Sequence, residues 1–350
     1  MALTSAGVQT GEYARVYDEL LVTTAEAIQP GIVENSINAH PVASIFLGNI
    51  GAALNSAIGN TGAPEAAGAK SMTGESIRVN VKLGKNESVG WLASGYSQIS
   101  MDTSDTARGT RANYKLAAGS VVIDGSTLRK NSGAAQVTSI LNHKQNDTTS
   151  SLVDMVAEAL LTSSSVANSV TSLPTIISAN DSIQGITGAT FANWNSRGVS
   201  AKGTAAATIS FTSGSFATQG VSDMRTAYMN AEEGSIKPNV ILTTDTIYRY
   251  YEGSLTSQVR FEDLRMGDLS FSALRFKGAP IFHDPLCASG TMFFLNTEYM
   301  YVAYLPGAMF DISPMERGTN QDAFVAPVLF EGQLVCSARK FQNKLTGITA

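Results

Sequence analysis

General acid–base catalysis and metal binding draw first on histidine, and this chain of 350 residues has three: His40, His143 and His283. They are far apart in sequence, and no His-Glu-x-x-His spacing includes any of them. Surface or hydrogen-bonded core positions are their ordinary reading. Asp102 and Asp105 have the spacing of a carboxylate pair. They sit in a Ser/Thr-rich turn, however, where aspartate commonly bonds the local backbone. Glu232 and Glu233 stand beside Gly234 and read as a solvated helix end. Cys287 and Cys336 are too few for a disulfide framework, so they read as packing residues or free thiols in a reducing compartment. A Walker A loop, a GxSxG elbow, a CxxC pair, a GxGxxG turn and an EF-hand loop are all missing. No catalytic, cofactor-binding or metal-ligating residue is therefore assigned.

Arginines alternate with aromatics between Tyr248 and Asp284, a pattern that single-stranded nucleic acid can use. Charge argues against it. Arg249, Arg260, Arg265, Arg275 and Lys277 are balanced by Glu252, Glu262, Asp263, Asp268 and Asp284. The whole chain carries a net −5, which excludes a general DNA-binding protein. Hydrophobic residues make up 43%, enough for a sizeable core, while charged residues are only 15% against roughly 25% in ordinary soluble domains. So few charges imply a chain whose surface is partly spent on an assembly. The N-terminus lacks a basic segment followed by an apolar run, so no signal peptide is expected. The most apolar stretch, Val42 to Ile58, is broken by Ser44, Asn49, Asn55 and Ser56, which argues against a membrane span.

The elements that must position these residues follow from periodicity. Tyr13, Val16, Tyr17, Leu20, Leu21, Thr24, Ala27 and Ile28 form a semi-apolar helical stripe that Pro30-Gly31 ends. Residues 31–69 read as an extended arm with a short helix, packed on something else. Ile77-Arg78-Val79-Asn80-Val81-Lys82-Leu83 alternates strictly, predicting a strand with one apolar face. Tyr114 to Ile123 reads as its return strand across an excursion of about thirty residues, longer than ordinary loops. Residues 131–164 predict a long helix, or two, with a polar waist. The Ser/Thr/Gly-rich residues 163–220 retain Ile176, Ile177, Ile183, Ile186, Phe191 and Trp194 and read as irregular folded structure. A helix near 221–233 precedes the strand Asn239 to Thr244, which runs into a Thr244-capped helix. Strands recur at Pro280–His283, Met292–Leu295, Tyr299–Tyr304 and Phe324–Lys340. The class is mixed α+β without regular βαβ alternation.

Charge is unevenly distributed. Residues 1–69 carry one cation and six anions, residues 70–130 nine cations and five anions. An acidic segment thus precedes a basic, hairpin-like excursion. Such patches either register contacts between copies or are solvated surface, and charge alone does not choose.

The chain resembles the major capsid proteins of tailed bacteriophages with the HK97-type fold. The resemblance rests on Lys237-Pro238-Asn239-Val240-Ile241-Leu242-Thr243-Thr244 leading into Ile247-Tyr248, then Gln258-Val259-Arg260-Phe261. It continues through Leu274 to Ile281, Met292 to Thr297 and Asn320-Gln321-Asp322-Ala323, with the Tyr96 region and Asn131-Ser132-Gly133 upstream.

It implies an N-terminal arm (1–69), an extended β-hairpin loop (70–125), and a peripheral domain with a long spine helix (126–170). An axial domain (171–305) and a return to the peripheral domain (306–350) complete the implied order. The implied function is structural: pentamers and hexamers tile an icosahedral head in the virion, assembled in the host cytoplasm. Double-stranded DNA is enclosed without sequence-specific binding. Portal and scaffolding or decoration proteins are the implied partners, with no cofactor and no membrane. Candidate assembly residues are Ile77, Val79, Val81 and Leu83 on the apolar face, with Lys82, Lys85, Trp91, Arg108 and Arg111 around them. Two rivals remain: the shell of a bacterial encapsulin-type nanocompartment, and a soluble enzyme using clustered carboxylates.

Overall fold

The computed structural model describes residues 40–47, 69–86, 88–98, 106–131, 140–162, 168–178, 181–196, 208–210, 216–255, 274–318 and 321–349. The predicted helix over 13–28, the Asp102 and Asp105 pair and the Gln258–Phe261 match lie outside them. The first strands are β1 (Ala69–Ser71), β2 (Ile77–Lys82), β3 (Ala107–Ala112) and β4 (Lys115–Asp124). Next come the short strands β5 (Ser182–Ile183), β6 (Ile186–Thr187) and β7 (Thr208–Ser210). The remainder are β8 (Val240–Thr243), β9 (Leu274–Phe276), β10 (Ala279–His283), β11 (Met292–Leu295), β12 (Met300–Ile312), β13 (Glu316–Arg317), β14 (Ala323–Cys336) and β15 (Asn343–Thr346). The class is mixed α+β.

The runs Val-Ile-Leu-Thr, Ala-Pro-Ile-Phe and Met-Phe-Phe-Leu lack polar alternation because their strands are covered on both faces. β8, β10 and β11 form the middle of a six-stranded sheet ordered β7-β15-β11-β8-β10-β9. Leu242, Phe282, Phe293 and Leu295 face one core with the long helix Ile140–Leu161. Ile241, Ile281, Met292 and Phe294 face a second core under the helices Val221–Ala231 and Asp245–Ser254. Thr244 takes the predicted N-cap position, but its side chain makes no capping bond.

A second sheet is built on β14. It pairs antiparallel with β12 from Cys336 opposite Met300 to Val328 opposite Ile312, and with β4 from Ala323 opposite Asp124 to Gly332 opposite Lys115. β1 joins β12 in parallel, and β13 pairs with the start of β14. The predicted strand at Tyr114–Ile123 exists, but as β4. Its partner is β14 rather than β2, which corrects the expected hairpin. The true return strand is β3, whose sequence Ala-Arg-Gly-Thr-Arg-Ala carries no apolar alternation to reveal it.

The long helix is one element of 22 residues, about 33 Å. Its C-terminal half buries Ala157 together with Leu152, Val153, Val156, Leu160 and Leu161, the last five contributing about 1.5–3 kcal/mol each. The polar stretch occupies the N-terminal half of this element and is largely exposed. Gly119 of β4 lets this helix approach, since a Cβ there would stand 2.8 Å from Thr148 Cγ2.

Two segments add detail to the expected organisation. The helix Pro41–Phe46, within the predicted arm, is core: Val42, Ala43, Phe46 and Leu47 pack with the long helix of the same chain. Within 306–350, β15 leaves β12 and β14 and pairs with β11 and β7 in the six-stranded sheet. Its buried Asn343 and Leu345 sit there because Leu345 fills the second core.

Candidate assembly surface

β2 and β3 make a two-stranded ribbon, registered from Ile77 opposite Ala112 to Lys82 opposite Ala107. The pleat gives it two faces. Ile77, Val79 and Val81 share one with Thr110 and Arg108. Arg78, Asn80 and Lys82 share the other with Arg111 and Gly109. Thr110 is buried, and its hydroxyl donates to the Val79 carbonyl at 3.0 Å.

The apolar face is covered by the chain itself. Ile77 packs with Tyr301, Ala303 and Val335, the side of β12 and β14 opposite the long helix. Val81 and Leu83 pack with Ile186 and Trp194, and half-buried Val79 touches both groups. The Arg111 N–H donates to the Gln184 carbonyl at 2.8 Å, and Asn193 Nδ2 donates to the Leu83 carbonyl at 2.8 Å. Ile77, Val81 and Leu83, named above as candidate assembly residues, are thus buried within the chain itself, and Val79 is half-buried there. The alternation is as read. Its cover, residues 182–196, lies in a low-charge stretch without periodicity, so the sequence offered no partner.

The other face is wet and cationic. Arg78 stands directly opposite Arg111, a like-charge pairing that costs stability. Glu75 reaches Arg111 at 3.9 Å, but both side chains are exposed, and such pairs contribute at most about 1 kcal/mol. Lys82 and Lys85 are exposed, and the Arg108 guanidinium lies 4.8 Å from the Phe191 ring centre.

The segment that joins the two ribbon strands carries what the body does not cover. Val89 is 80% exposed, Trp91 104%, Leu92 52% and Tyr96 100%. Burying a Trp or Tyr removes roughly 150–250 Å² from water, at about 25 cal/mol per Å². Of the sequence candidates, only Trp91 falls in this group. Val89, Leu92 and Tyr96 went unassigned. Their one sequence signal is a run of apolar residues spaced by Gly and Ser with neither helical nor strand period.

The potentially reactive residues do not converge. His40 is buried against Asp284, His143 is exposed on the long helix, and the exposed His283 ring lies 5.2 Å from the Tyr248 ring centre at a tilt of 56°. Burial, helped by Asp284, pushes the Cys287 thiol far up, and burial pushes Cys336 up to about 12, so both are poor nucleophiles. Among the described residues no group of three metal-ligating side chains assembles, and no helix is long and apolar enough to cross a membrane.

No protein-family model matches the sequence, and no characterised protein matches it in a sequence search. Solved structures do match. The capsid asymmetric unit of cyanophage A-1(L) superposes with a TM-score of 0.61 at 16% identity, over 94% of this chain and 99% of that one. The capsid of a native GTA particle gives 0.55 at 12% identity, over 99% and 100%. An encapsulin complex from Synechococcus elongatus gives 0.57 at 10% identity, over 99% and 96%. Over nearly its whole length, this chain therefore has the HK97-type fold found in phage and GTA capsids and in an encapsulin.

Proposed function

We propose that this chain is the major capsid protein of a tailed bacteriophage. It assembles as pentamers and hexamers into an icosahedral head around double-stranded DNA, with portal and scaffolding or decoration proteins as partners. The observation that carries the reading is the segment that joins the two ribbon strands: Val89, Trp91, Leu92 and Tyr96 stand exposed between β2 and β3. A monomer has no use for such a group, and a neighbouring copy gives it burial. In this reading the ribbon is the extended loop, within the segment 70–125 that follows the arm 1–69. Helix Ile140–Leu161 is the spine of a peripheral domain built on β12 and β14, and the six-stranded sheet with its two helices is the axial domain. A net −5 gives the packaged genome a wall that does not hold phosphate.

Electron microscopy of the purified protein tests this. Large icosahedral particles, DNA-filled when taken from virions and carrying one portal vertex, are expected. A second reading, the shell of a protein nanocompartment, is favoured by the encapsulin likeness over 99% of this chain. Small shells that hold protein and no DNA would replace the first reading with the second. A discrete small oligomer would remove both.

A further inference from the structure

A strand at the edge of a sheet leaves the N–H and C=O of every second residue without a ladder partner. β4 is such an edge: it pairs with β14 along its whole length and with no other strand among the described residues. The register shows which residues turn outward. The Pro327 carbonyl accepts the Ser313 N–H at 3.0 Å, and the Ala323 carbonyl accepts the Gly318 N–H at 2.9 Å, so these two residues of β14 turn away from β4. Their partners across the ladder, Ser120 and Asp124, therefore turn away from β14. In step with Ser120, the N–H and C=O groups of Leu116, Ala118 and Val122 also point to the free edge. Gly125, out of step with them, turns inward and donates its N–H to the Asp322 carbonyl at 2.7 Å, as the same alternation requires.

Natural sheet edges are blunted by lysine, by proline or by a bulge. This edge has none of them. Lys115 and Asp124 stand at its two ends, and between them runs Leu-Ala-Ala-Gly-Ser-Val-Val-Ile in unbroken register. The outward residues are also bare on the sheet face away from the long helix. Leu116 is 62% exposed and Val122 48%, and Ala118 and Ser120 between them are exposed. A long, uncharged edge with apolar side chains beside it is a template for another strand. No cation lies between its ends to hold a phosphate backbone or an acidic peptide. A sister chain fits it better: the fold is shared with phage and GTA capsids and an encapsulin, and in a shell every edge has a neighbouring copy beside it.

We propose that the outer edge of β4, from Leu116 to Val122, takes an extended strand from a second copy of this chain, so that the sheet built on β14 continues across the subunit boundary. This contact, which rests on the capsid reading, joins copies through backbone rather than side chains. Strand addition asks little of the incoming sequence beyond apolar residues beside Leu116 and Val122. It fixes the register between copies, and repetition around the shell makes a short ladder sufficient.

The test is amide hydrogen exchange on the full chain, read before and after assembly of the purified protein. The N–H groups of Leu116, Ala118, Ser120 and Val122 should exchange quickly in the unassembled chain and at least about tenfold more slowly in particles. Those of Ala117, Gly119 and Val121, bonded to β14, should be slow in both states. Ser120→Pro removes one outward N–H, and an edge strand tolerates proline where the N–H faces solvent. It should leave the unfolding midpoint near wild type and abolish particles in light scattering, while Ser120→Ala keeps the N–H and should assemble. If Ser120→Pro fails to fold, the wild-type exchange pattern decides alone. Particles in which the four outward amides stay as fast as in the free chain, or normal particles from folded Ser120→Pro, overturn the strand addition and leave the capsid reading standing. Protection that needs a different protein to be added overturns it too. A wild type that forms no particles overturns both.

Discussion

His40 Nδ1 lies 3.2 Å from Asp284 Oδ1, across 244 residues of chain. Asp284 is fully buried and also accepts the Leu286 N–H at 3.0 Å and, at 3.5 Å, that of Val42. The second histidine nitrogen is 4.0 Å from Asp154 on the long helix. His40 stands at the N-cap of the helix Pro41–Phe46, so this contact fixes that helix to the turn after β10. It is a structural pair, not an acid–base one.

Replacing His40 with alanine should therefore destabilise the chain by about 1–3 kcal/mol, because it strips a buried carboxylate of a partner. Denaturant unfolding measures this. Asp284→Asn in the same background should recover part of the loss, giving a coupling between the two sites. Strict additivity would show that the pair carries no energy. His143→Ala and His283→Ala should stay within about 0.5 kcal/mol of wild type.

The ribbon separates folding from assembly. Trp91→Ser with Tyr96→Ser changes two exposed side chains and should leave the unfolding midpoint unchanged while abolishing particles in light scattering. Val81→Asp should do something different. Val81 is buried beside Trp194, so a carboxylate there should cost on the order of 3 kcal/mol and lower the midpoint of the unassembled chain as well. Particles forming normally from the Trp91 and Tyr96 double variant would remove this segment from the interface.

What the sequence disclosed depended on whether a residue's environment left a local pattern. Val240–Thr243 and Met292–Leu295 were legible because strands covered on both faces are continuously apolar. Ile77–Leu83 was legible because its alternation is strict. Its partner β3 was not, since a ribbon strand with Arg108 and Arg111 needs only backbone pairing and leaves side chains free to be polar. Tyr114–Ile123 looked the better partner on pattern, yet its apolar residues answer to β14 and the long helix. His40 with Asp284 is a contact of long sequence separation with no local trace. For the candidate site, the alternation at Ile77–Leu83 was legible, but its intrachain cover at Ile186 and Trp194 was not.

Acid should loosen the joint between the helix Gly125–Lys130 and β14. There Asp322 accepts from Arg129 at 2.6 Å and Arg317 at 3.0 Å, and its carbonyl accepts the Gly125 N–H at 2.7 Å. The Arg129 hydrogen bond, then the two arginine charges, hold its carboxyl below the usual range. A depressed folded-state pKa stabilises above the unfolded value of about 3.9, and the contribution disappears as pH falls through the folded one. The stability difference between wild type and Asp322→Asn should be constant from about pH 7 to 5 and shrink below about pH 4. A difference unchanged at about pH 2 would mean the carboxylate charge is not what holds the joint.

The seat of the long helix on β4 gives a compensation test. In an open strand position, Gly→Ala stabilises by about 0.5–1 kcal/mol. At Gly119 the new Cβ would meet Thr148 Cγ2 at 2.8 Å, and a short β-branched side chain on a packed helix yields little. Gly119→Ala should therefore destabilise by about 1–2 kcal/mol, the range for overpacking. Thr148→Ser removes the opposing methyl and keeps the hydroxyl that donates to the Lys144 carbonyl at 2.8 Å. Alone it should have little effect; combined with Gly119→Ala it should restore wild-type stability. If the double variant remains as unstable as Gly119→Ala, the close approach of helix and strand is not what requires glycine at this position.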